Sequence, residues 1–279
     1  MITAKSLRVD YEDVTAVWDV DIEVQAGEVY GLVGPNGAGK TTTIRALAGL
    51  LEPTCGDVFL AGADMALRPE EGQKHLGYMP DFAPAYENLT VWQYLDVFAT
   101  AHLVPRGERL KRARTWVERV GLESKWDSYL PDLSRGMRQR LVLAKTLIPE
   151  PDILLLDEPA SGLDPIARVQ VREIVTECAA RGAAVLISSH ILTELSDMCT
   201  AIGVMEKGVM IVSGSIDAIR KRLGAQGDLR IRLLNPSPAD LEAFRQILAE
   251  CEDIHNLAQE QKGWWRGQFT GEDENAARL

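Results

Sequence analysis

The chain is short of cysteine, short of positive charge and free of long apolar runs. Its 279 residues include only four cysteines, Cys55, Cys178, Cys199 and Cys251. They are widely spaced and form no CxxC pair, which argues against a disulfide framework or a zinc site and fits a reducing compartment. Nowhere do about 18 apolar residues run together, so no transmembrane helix is expected. Met1 to Lys5 open no long apolar stretch, so no signal peptide is expected either. Lys and Arg number 30 against 41 Asp and Glu, a net charge of -11. Nucleic-acid phosphates need clustered positive charge, so no nucleic-acid partner is expected. Internal repeats and low-complexity tracts are also missing.

What remains is 46% hydrophobic and 25% charged, enough for one large α/β domain and a small appendage. Residues 1–33 read as strands: the alternation of Ile22 and Val24 stops at Gly27, and Val29 to Val33 is a short apolar run. A helix is expected from Lys40 to about Gly49, then strands at Gly56 to Leu60 and Leu76 to Met79. From about 84 to 149 the pattern turns helical, notably at Val91 to Phe98 and Leu110 to Val120, and reads as an insertion. Beyond it a strand at Ile153 to Asp157, a helix at Val169 to Ala180 and a strand at Ala184 to Ser188 restore the alternation of a largely parallel sheet. Ala201 to Met205 and Val209 to Val212 read as a hairpin near a sheet edge. The fold class expected is α/β, with an antiparallel N-terminal β-subdomain.

A second unit is expected over 221–279, after a main domain of 1–220. Gly224 to Gly227 reads as a linker, Leu229 to Leu234 and Gly263 to Phe269 as strands, Asn235 to Pro238 as a turn, and Ala239 to Glu250 as a helix. The sequence stops in what reads as the start of another helix, Glu274 to Leu279, so this α+β unit is expected to be incomplete.

Gly34-Pro35-Asn36-Gly37-Ala38-Gly39-Lys40-Thr41-Thr42 matches the phosphate-loop pattern G-x-x-x-x-G-K-[ST]. It follows a buried strand and opens a helix, as the mechanism requires. Glycines let backbone N–H groups turn inward toward phosphate oxygens, and the helix N-terminus adds positive potential. Lys40 is placed to reach the β- and γ-phosphates and Thr41 to bind Mg²⁺, which makes a P-loop NTPase core and by itself leaves kinase, GTPase, helicase and transporter open. Ile153 to Leu156 then deliver Asp157 and Glu158 to the carboxyl edge of the sheet, where ligands bind in open α/β folds. Asp157 is the expected Mg²⁺ ligand. Glu158, facing the other way by strand alternation, is the expected general base.

Leu133-Ser134-Arg135-Gly136-Met137-Arg138-Gln139-Arg140 has an N-cap serine, a glycine that allows close approach to an anion, and an apolar stripe at Met137, Leu141, Ala144 and Ile148. It resembles the LSGGQ signature of ABC ATPases and lies just upstream of the acidic strand, as in that family. Ser161-Gly162-Leu163-Asp164 resembles the family's D-loop, His190 its switch histidine, and Tyr11 the aromatic that stacks on adenine. The resemblance spans residues 1 to about 220 and is nearest to the ATPase subunits of the ABC-2 export group.

The resemblance implies two copies, identical or related, closing head to tail around two ATP molecules. Ser134, Gly136 and Asp164 of each would meet the nucleotide held by the other. Glu158 would polarise water and His190 would steady the γ-phosphate. It also implies an integral-membrane permease as partner, and hence a place on the cytoplasmic face of the cell membrane. Asp81 stands where the family usually has a Mg²⁺-sensing glutamine, so Asp81 is a third candidate metal residue. Arg135 replaces the first signature glycine. The alternatives are a non-transport ABC ATPase and a regulatory ATP-binding module.

Overall fold

The alternating N-terminal segments form two long antiparallel strands in the computed structural model of the protein, β1 (Ile2–Tyr11) and β2 (Val14–Val24). The described residues are 1–82, 86–195, 197–216, 218–219, 227–232, 241–242, 244, 254–259 and 264–269. They fall into two compact units, Met1–Gly214 and Ser215–Leu279.

In the first unit the chain continues through β3 (Val29–Val33), α1 (Lys40–Leu47), β4 (Cys55–Leu60), β5 (Ala63–Asp64), α2 (Pro69–Gln73) and β6 (Leu76–Met79). Three helices follow: α3 (Val91–Ala101), α4 (Arg106–Arg119) and α5 (Arg135–Leu147). Then come β7 (Ile153–Leu156), α6 (Pro165–Ala180), β8 (Ala184–Ser189), α7 (Leu192–Leu195), β9 (Ala201–Glu206) and β10 (Val209–Ser215). The strand order is β5-β4-β1-β2-β10-β9-β3-β8-β7-β6. Strands β9, β3, β8, β7 and β6 pair in parallel, whereas β1, β2, β4 and β5 pair antiparallel. Every residue of β3, β7 and β8 is buried. That is why these segments read as unbroken apolar runs: parallel strands are covered on both faces.

The helices between β6 and β7 are set by local signals. Thr90 accepts the Gln93 N–H at 3.3 Å while the Gln93 side chain accepts the Thr90 N–H at 2.9 Å, a capping box that starts α3. Trp92 stacks on Trp126 with ring centroids 5.1 Å apart, closing the segment between α4 and α5 against α3.

The structure differs from the sequence reading in several places. The β9–β10 hairpin lies in the middle of the sheet rather than near an edge, because β10 pairs with β2 through Val209 and Trp18 and so joins the antiparallel and parallel halves. Helix α6 starts at Pro165 rather than Val169, because Asp164 caps it and proline suits its first turn. In the second unit, β11 (Gly227–Arg232), β12 (Ile254–Gln259) and β13 (Trp264–Phe269) form an antiparallel sheet in the order β11-β13-β12. Strand β12 escapes the sequence reading because its apolar residues, Ile254, Leu257 and Ala258, do not alternate. The linker expected over Gly224 to Gly227 is corrected at Gly227, which opens β11, and the rest of it, the turn over 235–238 and the helix over 274–279 lie outside the described residues, as does most of the helix expected over 239–250. No described helix is long and apolar enough to cross a membrane.

Candidate active site

The loop between β3 and α1 is wrapped as tightly as its glycines suggest. A Cβ on Gly34 would sit 2.3 Å from the Met205 carbonyl oxygen, and one on Gly39 would sit 2.5 Å from that of Ala16. Gly39 caps α1 with φ of 101°, a conformation that L side chains rarely adopt. The loop is also tied to the hairpin turn, since the Gly208 N–H donates to the Ala38 carbonyl at 3.0 Å.

An open cavity of about 520 Å³ lies over this loop, within the usual range for a small-molecule site. Its wall includes Asn36, Gly37, Ala38, Gly39, Lys40, Thr41 and Thr42, with Asp81 and Glu158 also lining it. Val14, Thr15, Ala16 and Lys207 line it too. None of these four carries a motif of its own; the sheet topology brings them there. Tyr11 stands at the end of β1, paired with Val14, and is exposed but not part of the cavity wall. Gly34 and Pro35 do not line the cavity; their carbonyls hold Lys40.

Lys40 is buried. Its Nζ donates to the Gly34 carbonyl at 2.6 Å and to the Pro35 carbonyl at 3.2 Å, and lies 3.3 Å from Glu158 Oε1. The other carboxylate oxygen of Glu158, Oε2, lies 2.9 Å from His190 Nδ1. Glu158 therefore bridges the phosphate-loop lysine and a half-exposed imidazole. This orientation does not come from strand alternation. Strand β7 ends at Leu156, and Glu158 has φ of 48°, a left-handed residue that redirects the chain.

Asp157 is wholly buried. Its Oδ1 accepts from the Ser188 hydroxyl at 2.8 Å, and its Oδ2 has no hydrogen-bond partner. Burial pushes its carboxyl above the usual carboxylate range; the Ser188 hydroxyl and the nearby Thr41 hydroxyl oppose this, and the nearby Asp81 and Glu158 charges add to it. An unpaired buried acceptor beside two further acids is the environment that a cation relieves.

Ser134, Gly136 and Asp164 are absent from the cavity wall. Ser134 caps α5, its Oγ accepting the Met137 N–H at 3.2 Å. Asp164 caps α6, its Oδ1 accepting the Ala167 N–H at 2.9 Å. A Cβ on Gly136 would lie 3.5 Å from Leu163, and one on Gly162 would lie 3.3 Å from Arg135 Nε. The two caps thus share one surface, with the Arg135 side chain laid over Gly162.

Comparison with known proteins gives the family. The family described as ABC transporter matches residues 17–161. The chain is 35% identical over 263 residues to an ABC transporter ATP-binding protein of Synechocystis, covering 94% of this chain and 70% of that one. It is 36% identical to Nod factor export ATP-binding protein I of Burkholderia lata, covering 88% and 80%. The solved structure of an ATP-binding subunit of an ABC transporter superposes with a TM-score of 0.75 at 30% identity, covering 88% of this chain and 99% of that one. With the phosphate loop, the acidic strand end and the α/β core in place, the chain belongs to the ABC transporter family, as an ATPase subunit of it.

Proposed function

We propose that the protein binds ATP with Mg²⁺ in the cavity over Gly34 to Thr42, and that Glu158 and His190 carry out its hydrolysis. The observation that carries this reading is the Glu158 carboxylate, placed between Lys40 at 3.3 Å and His190 at 2.9 Å. The backbone of the loop and Lys40 hold the phosphates. Lys40 is already buried and gives up two carbonyl contacts to reach them. Glu158 takes the proton from the attacking water, and His190 steadies the γ-phosphate beside it. Thr41, Asp157 and Asp81 supply a hydroxyl and two carboxylates, a partial ligand set of the kind that Mg²⁺ completes with phosphates and water. Bound there, the ion supplies neutralisation of phosphate charge.

Two copies close head to tail, so that Ser134, Gly136 and Asp164 of one chain meet the nucleotide of the other. Their grouping at the capped starts of α5 and α6, with no contact to the cavity residues among those described, supports this arrangement. An integral-membrane permease is the partner that receives the work, and the likeness to an export ATP-binding protein supports outward transport. Phe82, beside Asp81, is 80% exposed and supports a partner surface on that side of the unit. The protein then sits on the cytoplasmic face of the membrane through its permease.

Glu158→Gln tests the reading. It should still bind ATP and accumulate as an ATP-trapped dimer, while turnover falls on the order of 10²–10³-fold. Unchanged turnover removes Glu158 from its role.

A further inference from the structure

Glu158 is held at its peptide as well as at its carboxylate. Its N–H donates to the Ser188 hydroxyl at 2.9 Å, and the same hydroxyl donates to Asp157 at 2.8 Å. Its carbonyl accepts from the Ser161 N–H at 3.0 Å and from Gln139 Nε2 at 3.3 Å. Because φ is 48° at this non-glycine residue, the conformation persists only where its surroundings over-determine it. Ser188 stands on β8 and Ser161 belongs to the turn itself. Gln139 alone among these partners comes from the helical segment between β6 and β7.

Gln139 is a buried amide in the second turn of α5. Ser134 caps the same helix, and its first turn carries Arg135 and Gly136, which lie against Gly162 and Leu163. Helix and turn therefore touch twice, at the start of α5 and at the Gln139 amide. A shift of α5 along or about its axis moves the Glu158 carbonyl, and a left-handed residue passes that movement to its side chain. Helices move as rigid units, so the displacement at Ser134 and the displacement at Gln139 are the same one.

We propose that Gln139 is a positioning residue, one that sets the Glu158 carboxylate according to the seat of α5 and so ties hydrolysis to what Ser134 meets. This rests on the reading above that Glu158 is the base and that Ser134 meets the nucleotide of a second copy. The bond to the Glu158 carbonyl is the link; no contact between Gln139 and nucleotide is required.

The experiment is Gln139→Met, which keeps the length and packing of the side chain but removes the donor. Turnover should fall about 10- to 100-fold, the cost of a misplaced catalytic group. The KM for ATP should stay within about twofold, since the phosphate loop is untouched. ATP-trapped dimerisation should persist when the change is combined with Glu158→Gln. A rise in KM with unchanged kcat would overturn the proposal, as would wild-type values for both. If Gln139→Met lowers the unfolding temperature strongly, Gln139→Asn, with its amide one methylene short of the carbonyl, gives the same kcat-against-KM comparison. Wild-type protein separates the two readings. If it hydrolyses ATP and depends on Glu158 while Gln139→Met is silent, only the link fails. If Glu158→Gln leaves turnover intact, the assignment of the base fails first.

Discussion

Lys40, Asp81, Asp157, Glu158 and His190 come from four separate stretches of sequence, yet the parallel sheet brings Lys40, Asp81 and Glu158 to one cavity, with His190 on the Glu158 carboxylate and Asp157 buried beside Asp81 and Glu158. Ser134, Gly136 and Asp164 come from two stretches and lie together on another surface, spent on capping α5 and α6. The first group has facing charges and an unpaired buried oxygen. The second has two capped helix starts and an exposed arginine, Arg135, laid over Gly162. The contrast is what the proposed head-to-tail closure turns on: one surface lined for a nucleotide, the other made of capped helix starts. A helix start that has satisfied its own donors through a cap still presents positive potential outward, and it needs an anion delivered from elsewhere.

A large expected effect tests that division directly. Ser134→Arg places bulk and a second cation on the α5 cap without touching the cavity. Nucleotide binding by the single chain should remain within about threefold, whereas turnover should fall on the order of 10²-fold because the dimer cannot close. Glu158→Gln stops turnover too, but by the opposite route: it accumulates the closed dimer that Ser134→Arg never forms. Gel filtration with ATP and Mg²⁺ distinguishes them. A Ser134→Arg chain that turns over normally would show that both groups serve one chain alone.

Asp157 sharpens the comparison from the cavity side. Its folded pKa is raised by burial above the ordinary value of 3.8. The ionised form therefore destabilises the fold, and the penalty sets in as pH rises through 3.8 and is complete above the raised value. Asp157→Asn keeps an acceptor for Ser188 and removes the charge. In the absence of nucleotide its unfolding temperature at pH 7 should exceed that of wild type, at about 2–4 °C per kcal/mol relieved. The advantage should shrink toward pH 3.8. Turnover with Mg²⁺ should fall to background, and Mg²⁺ with ATP should stabilise wild type more than the variant. A lower unfolding temperature would mean that the carboxylate is net stabilising where it lies.

Most of this was legible in the sequence because parallel strands and phosphate loops impose strict local demands. Leu76 to Met79 was read to the residue, and Ile153 to Leu156 and Val29 to Val33 announced themselves as short apolar runs. Gly39 and Gly34 had to be glycine, and the spacing of the loop showed it. What stayed hidden depends on pairing across long sequence distances. Lys207 and Val14 reach the cavity only because β10 joins β2, and Gln139 reaches Glu158 only because α5 folds back against the end of β7. The turn at Glu158 was misread as strand alternation, since no sequence rule marks a glutamate for a left-handed conformation.

The smallest expected effect concerns how the two regions are braced. Glu177 on α6 is paired with Arg119 at the end of α4 and with Arg181 just beyond α6, so it fastens the helical segment to the core. The Arg119 hydrogen bond, with Arg181 helping, holds the Glu177 carboxyl down at about 2, against an ordinary 4.5. A depressed acid contributes stability above its unfolded pKa and loses it as pH falls through the folded value. The contribution is thus full above about pH 5 and gone below about pH 2. Because the side chain is 39% exposed, solvent and salt screen the pairs and the sum is on the order of 1 kcal/mol or less. Glu177→Gln should lower the unfolding temperature slightly at pH 7, less so in 1 M salt, and not at all near pH 2. Its turnover should stay within twofold of wild type if the brace only holds α4. A larger loss would mean that movement of the helical segment reaches Glu158 by way of α6 as well as through Gln139.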